Sequence, residues 1–427
     1  MNIPVIEVRA WGKQVGALAR DPRLGYFAFQ YTPSWLKLGI EFAPLHMPLS
    51  DQIFIFPNLP EATFRRLPAM FADALPDDFG NALIDAWMAE RGTTKADVTT
   101  LDRLAYMGKR GMGALEFKPA LGSHRESAEP LKMKSLIEEA RKAVEDDLSA
   151  DIHAKVALAN IIRVGTSAGG ARAKAVVAWN PRTNQIRSGQ FEMAAGFEPW
   201  LLKFDGVGKD FELGTGGDYG RTECAYYKMA TQAGIRMSPC RLLEENDRAH
   251  FMTRRFDRDV IGGKTVKHHT QTLCAMAHLD YKQRGTHAYS QLFMTIAELK
   301  LGDDAVRQAF LRMTFNVMAR NYDDHTKNFS FLYKRDDGWE LAPAYDVTHA
   351  HNPRGEWTYQ HLMSVNGKFD EITRADLLAE AERFSVPRAE QLITDVRTAL
   401  ENWAEHAQSA ELSQSKTSEL RRDFLLL

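Results

Sequence analysis

At 427 residues the chain is too long for one ordinary core and comfortable for two or three modules. Hydrophobic residues at 44% and charged residues at 26% are those of a soluble globular protein, and 54 basic against 56 acidic side chains leave a net charge of −2. Nothing in that balance demands nucleic acid or a membrane as partner. The three cysteines, Cys224, Cys240 and Cys274, are odd in number and lack C-x-x-C spacing, which excludes a disulfide framework or a cysteine zinc cluster and predicts reduced thiols. The opening Met-Asn-Ile-Pro-Val-Ile-Glu-Val has no basic start or apolar run, and no stretch approaches the ~20 apolar residues that span a bilayer, so a cytoplasmic location without membrane contact is expected.

In chain order, 3–49 alternates in short β-type runs (5–8, 14–18, 26–31) broken by turn residues, an antiparallel start. Over 63–109 the spacing turns helical: Phe64, Leu67, Met70, Phe71 and Leu75 form one stripe, and Leu83, Ile84, Trp87 and Met88 the next. Residues 121–129 are polar and turn-rich, giving a boundary near 125, and 131–151 reads as a charged amphipathic helix. Alternation returns from 161 through 175–179, 188–193 and 200–204, interrupted by a helix over 222–233. After Arg258 most of the chain is predicted helical (288–300, 305–320, 374–384, 388–407), with one β insertion over 329–342 and a polar tail at 409–418. The expectation is an α+β chain in three parts, 1–125, 126–258 and 259–427, sheet-rich first and helical later.

The most informative stretch runs from Asn321 to Asp346. Asp323 is followed five positions later by Asn328, the D-x-x-x-x-N arrangement in which a carboxylate orients an attacking hydroxyl while an amide holds a metal ion. Two β runs, 329–333 and 339–342, flank an Asp-Asp-Gly turn. An antiparallel hairpin returns its second strand beside the start of its first, so Asn328 and Asp346 should meet at one open end. Hard oxygen donors grouped there suit Mg²⁺ and phosphoryl transfer; Asp and Asn serve equally as turn and capping residues. His325 lacks a partner at ligand spacing and reads as a structural donor.

Upstream, Val164-Gly-Thr-Ser-Ala-Gly-Gly-Ala-Arg-Ala-Lys174 sets Gly165, Gly169 and Gly170 beside Arg172 and Lys174, a loop able to cradle phosphate or simply a flexible hairpin. It is not a Walker A sequence. Lys203 ends an apolar strand, as a phosphate-contacting lysine or a snorkelling strand end. Glu223 opens the helix after Gly220, as a partner for Lys203 or as a first-turn acid favoured by the helix dipole.

These residues sit among motifs that resemble the HipA-type kinases. Gly12-Lys-Gln-Val-Gly-Ala-Leu, Phe27-Ala-Phe-Gln-Tyr-Thr-Pro-Ser-Trp-Leu and Leu75-Pro-Asp-Asp-Phe-Gly look like the family's opening module. Arg255-Phe-Asp-Arg, Asp324-His-Thr-Lys-Asn-Phe-Ser, Pro343-Ala-Tyr-Asp and Met363-Ser-Val-Asn-Gly-Lys look like its later signatures. The resemblance implies a bilobal protein-kinase-like fold and an ATP- and Mg²⁺-dependent serine/threonine kinase, the toxin of a toxin–antitoxin pair. It implies Asp323 as catalytic base and Asn328 and Asp346 as metal ligands. Gly169, Gly170, Ala171, Arg172, Ala173 and Lys174 would form the phosphate loop, and Lys203 with Glu223 the ATP lysine and its partner. Arg254, Arg255 and Phe256 would form the adenine hinge, with His325, Lys327 and Tyr345 lining the nucleotide site. Ser167 falls where the family autophosphorylates. The loop departs from the Gln-Glu-Lys ending of better-studied members, and Arg254 stands where an acidic hinge residue is expected. Implied partners are a HipB-like helix-turn-helix antitoxin, DNA only through that complex, and a protein substrate such as a glutamyl-tRNA synthetase. The competing class is a nucleotide-binding corepressor with weak catalysis; a small-molecule phosphotransferase would not need the opening β module.

Overall fold

The structure is a computed structural model that describes residues 3–76, 78–89, 91–121, 174–189, 193–205, 218–245 and 248–427. The boundary near 125, the helix over 131–151 and the glycine loop lie outside the described residues. Two compact units interleave along the chain. The first takes 1–209, 254–271 and 333–336; the second takes 210–253, 272–332 and 337–427.

In the first unit, β1 (Val5–Ala10), β2 (Lys13–Arg20) and β3 (Phe27–Tyr31) form the expected antiparallel start. Ile6, Val8 and Ala10 turn inward and are fully buried, the period of two that sequence alternation requires. The β1–β2 turn is Trp11-Gly12, both with positive φ (50° and 76°), the conformation of a tight hairpin turn. Tryptophan tolerates that backbone here because its ring packs against Trp35, Phe42 and Tyr333 while Nε1 donates to the Lys267 carbonyl at 2.7 Å. The helical stripe after 63 is cut by Pro68 and Pro76 into short turns, Glu61–Phe64 and Ala69–Ala72, before α1 (Asp78–Ala89) and α2 (Thr100–Met107). A Thr99/Asp102 capping box starts α2, and Asp102 also accepts from the Ile3 amide at 3.2 Å. The three-residue β4 (Glu116–Lys118), too short for a periodic signal, then pairs with β1.

Strands β5 (Lys174–Trp179), β6 (Ile186–Ser188) and β7 (Glu198–Lys203) run antiparallel in the order β6-β5-β7, and every residue of β5 is buried. The expectation of helix after Arg258 fails at once: Arg258–Ile261 and Lys264–Lys267 form a hairpin. Its turn is Gly262-Gly263, both at positive φ.

The second unit opens with α3 (Tyr219–Gln232) and the hairpin β8 (Cys240–Glu245) and β9 (Arg248–Arg254). A Cβ on Gly220 would stand 2.0 Å from the Ala249 carbonyl oxygen, so only glycine lets the first turn of α3 lie on β9. Helices α4 (Tyr289–Glu298) and α5 (Gly302–Met318) precede β10 (Ser330–Lys334) and β11 (Gly338–Leu341); α6 (Arg374–Arg383), α7 (Ala389–Glu401), α8 (Trp403–Ser409) and α9 (Gln414–Arg421) follow. α5 is the central element: its residues from Gln308 to Met318 are all buried, and it packs on α4 and α7. The single helix expected over 388–407 breaks at Asn402, and the polar tail is helix α9, capped by Ser413 Oγ accepting from the Lys416 amide. All three cysteines are free.

Candidate active site

The site of the second unit begins where α5 stops. Arg320 takes a positive φ of 58°, and the chain then runs beside the segment that follows Asp346: the Tyr322 amide donates to the Ala350 carbonyl and the Ala350 amide to the Arg320 carbonyl, each at 3.0 Å. A single 3₁₀ turn, Thr326–Asn328, reverses the loop, closed by the Asn328 amide on the His325 carbonyl at 2.8 Å. Within it Asn328 Nδ2 donates to the Asp323 carbonyl at 2.6 Å. The five-residue spacing read from sequence is therefore one hydrogen-bonded ring. Because the nitrogen of the amide is engaged, Oδ1 is the atom left to face a cation.

Asn328 and Asp346 line the same cleft, together with Asp324, Asn316, Asn321 and Arg312. Asp346 holds φ at 52°, a left-handed conformation that Asp accepts more readily than most residues. Tyr345, next to it, donates its hydroxyl to the Lys327 carbonyl at 2.6 Å and lies 2.5 Å from Ser330 Oγ, tying the two loops together. An amide oxygen and a carboxylate on one cleft are the hard donors Mg²⁺ prefers, so the residues present fit that ion. The Asp323 side chain is 48% exposed, 3.6 Å from His325 Nε2. His325 and Lys327 both pack on Tyr281, the ring centroids 5.3 Å apart and the Lys327 Nζ 4.8 Å from the ring centre. Arg312 is buried with one guanidinium nitrogen on the Ala342 carbonyl at 2.7 Å, and burial lowers its pKa to about 9.

Asp324 went unremarked in the sequence beyond its place in a motif, yet it anchors the loop. Fully buried, it accepts from Tyr289 Oη (2.7 Å), the Leu362 amide (2.7 Å) and His361 Nδ1 (2.8 Å). Asn316 Nδ2 donates in turn to the Tyr289 hydroxyl, and Asn321 Nδ2 to Asn316 Oδ1, each at 2.9 Å. Burial first, and the Asp324 charge second, push the Tyr289 phenol well above its ordinary pKa. The adjacent Asp-Asp pair was the only local signal.

In the first unit Lys174 and Lys203 are directly opposed on β5 and β7 and are 4% and 8% exposed. Opposed residues of an antiparallel pair share a face, so both lysines leave the sheet on the same side. Glu223 belongs to the second unit and is buried in the second turn of α3; the helix starts at Tyr219 and has no acid in its first turn, which removes the dipole reading. Arg254 ends β9 and, like Phe256, is half-buried. The Arg255 side chain is committed elsewhere. Its Nε and one terminal nitrogen bind the Asp257 carboxylate at 2.9 and 2.8 Å, its amide donates to the Pro199 carbonyl at 2.9 Å, and Arg258 completes the buried cluster 2.6 Å from Asp257. Burial lowers Arg258 to about 9. Ser167, Gly169, Gly170, Ala171, Arg172 and Ala173 lie outside the described residues. Among those residues, no helix is long and apolar enough to cross a membrane.

A model of the HipA N-terminal domain matches residues 6–118, and one of the HipA-like C-terminal domain matches residues 166–404. Among solved structures, the chain is similar to one from the Shewanella oneidensis MR-1 toxin–antitoxin complex of HipA, HipB and operator DNA. The TM-score is 0.67 at 19% identity, covering 98% of this chain and 94% of that one. It is also similar to the Helicobacter pylori proinflammatory kinase CtkA, at a TM-score of 0.34 and 11% identity, covering 54% of this chain and 90% of that one. No curated protein matches by sequence. The Shewanella likeness shows a shared fold, and the C-terminal match alone spans more than half of the residues: this chain belongs to the HipA family.

Proposed function

We propose that this chain is an ATP- and Mg²⁺-dependent serine/threonine protein kinase that acts as the toxin of a type II toxin–antitoxin pair. The observation that supports the reading is the ring closed by Asn328 Nδ2 on the Asp323 carbonyl, which leaves Oδ1 as the free amide atom of a residue lining the same cleft as Asp346. Bound there by Asn328 and Asp346, Mg²⁺ would neutralise phosphate oxygens. Asp323, half-exposed, orients the acceptor hydroxyl and takes its proton as the phosphoryl group is transferred. Lys174 and Lys203 supply positive charge for the nucleotide phosphates. Arg254 and Phe256 contact adenine through the main chain, and His325, Lys327 and Tyr345 shape the nucleotide side of the loop.

Autophosphorylation at Ser167 would add about −1.5 to −2 charges beside the phosphate loop and eject it from the nucleotide. The partner is a HipB-like helix-turn-helix antitoxin, and DNA is held only through that complex, as HipA and HipB hold operator DNA in the Shewanella structure. The target is a cytoplasmic protein of the translation machinery, with glutamyl-tRNA synthetase the first candidate.

The test is incubation of the purified chain, shown beforehand to be unphosphorylated and to bind ATP, with Mg²⁺ and γ-labelled ATP, alone and with cell extract. Label on Ser167 and on an extract protein is expected. Absence of label on both sinks the kinase reading and favours a nucleotide-binding corepressor.

A further inference from the structure

We propose that His349, His351 and Asp423 form a binding site for one divalent transition cation, zinc by ligand chemistry, which clamps the C-terminal segment to the loop following Asp346. One ligand atom from each residue lies within 4.8 Å of the other two. The Asp423 Oδ2 stands 2.9 Å from His349 Nε2 and 3.7 Å from His351 Nδ1. Bonds of ~2.1 Å in a tetrahedral zinc site put ligand atoms ~3.4 Å apart, so these two spacings bracket what coordination needs. Small side-chain rotations suffice.

The surroundings favour a cation held at a shielded but reachable point. The histidines are 13% and 18% exposed and Asp423 is 38% exposed, giving entry from the carboxylate side. Tyr322 packs on His351 at 4.8 Å and Tyr226 meets His349 edge-on, forming an aromatic wall. A neighbouring cation, Arg320, donates Nε to the Asp423 main-chain carbonyl at 2.8 Å, and its guanidinium lies 3.9 Å from Asp370. Asp370 thus answers the arginine charge, leaving the Asp423 carboxylate for the metal. Coordination needs the Nε2 proton of His349 to leave or to move to Nδ1. Two imidazoles and one carboxylate select zinc over Mg²⁺, so this site is chemically separate from Asn328 and Asp346.

Its position gives it consequence. Ala350, between the two histidines, exchanges main-chain hydrogen bonds with Arg320 and Tyr322, immediately before Asp323. A metal here would brace both loops of the candidate active site from behind. The proposal does not depend on kinase activity, since metal content is its readout.

The experiment uses untagged full-length protein, stripped with chelator and titrated with Zn²⁺ and, for spectroscopy, Co²⁺. Expected are one equivalent of tightly retained zinc by elemental mass spectrometry and a visible Co²⁺ band of tetrahedral intensity. His351→Ala should weaken zinc binding by about 100-fold or more, since even outer partners of such ligands are worth roughly 10–100-fold. Circular dichroism checks that the variant folds, and the wild-type Co²⁺ spectrum stands independently of any variant. Equal zinc affinity in wild type and a folded His349→Ala/His351→Ala double variant, or a purely octahedral Co²⁺ spectrum, would overturn the site.

Discussion

Asp323 leaves its side chain 48% exposed beside His325, whereas its neighbour Asp324 is buried beneath Tyr289, His361 and the Leu362 amide. The pair sets the proposed chemical role of Asp323 apart from the positioning role of Asp324, and the two are testable separately. Asp323→Ala should lower phosphoryl transfer by ~10²–10⁴ while leaving the unfolding midpoint nearly unchanged. An unaltered rate in the folded variant discards the proposed base. Tyr289→Phe deletes the hydroxyl between Asn316 and Asp324 and strands two buried partners, which should cost about 1–3 kcal/mol in urea unfolding. A midpoint equal to wild type would mean that the network carries no stability. The spacing of Asp323 and Asn328 was legible because five residues suffice to close the ring. Asp324 was not, because its donors arrive from positions 289, 361 and 362, which no local pattern connects.

Among the elements, α3 offers the sharpest contrast between propensity and packing. Alanine in a helix is ordinarily ~1 kcal/mol better than glycine. At position 220 the new Cβ would meet the Ala249 carbonyl oxygen at 2.0 Å, and neither backbone can yield cheaply. Gly220→Ala should therefore destabilise by about 1–3 kcal/mol, measured by chemical denaturation; a gain in stability would show that α3 can slide on β9. The same distinction explains which elements the sequence disclosed. Strands β1 to β3 followed their alternation, and α5 its helical period. The stripe after 63 kept its apolar spacing but not its helix, because Pro68 and Pro76 interrupt it. The hairpin over 258–267 was signalled by Gly262-Gly263 between alternating residues, a turn cue that the helical expectation passed over.

At the scale of the molecule, acid sensitivity follows from a histidine in the first unit. His269 stacks on Phe42 at 4.2 Å, and burial lowers its pKa from 6.5 to about 3. The folded state holds it neutral while the unfolded chain takes up a proton below 6.5. Its stabilising effect is therefore complete above that pH and is lost as pH falls toward 3, at a slope of up to about 1.4 kcal/mol per unit. Unfolding at pH 7 and pH 5 should show the loss, and His269→Gln should reduce the slope; an identical slope in the variant would assign the effect to other groups. The sheet-first, helix-later layout was readable from pattern alone. The interleaving was not, since it depends on distant partners: Tyr333 and Arg335 reach Trp11, with ring centres 6.3 Å apart and the guanidinium 6.0 Å from the indole. That dependence has a consequence for the order of events on the ribosome. The first unit lacks its last segment until residue 336 has emerged, although most of it ends at 209. At ordinary synthesis rates the nascent unit waits roughly 6 to 25 s for completion, a window in which its still-exposed apolar surface is open to a chaperone.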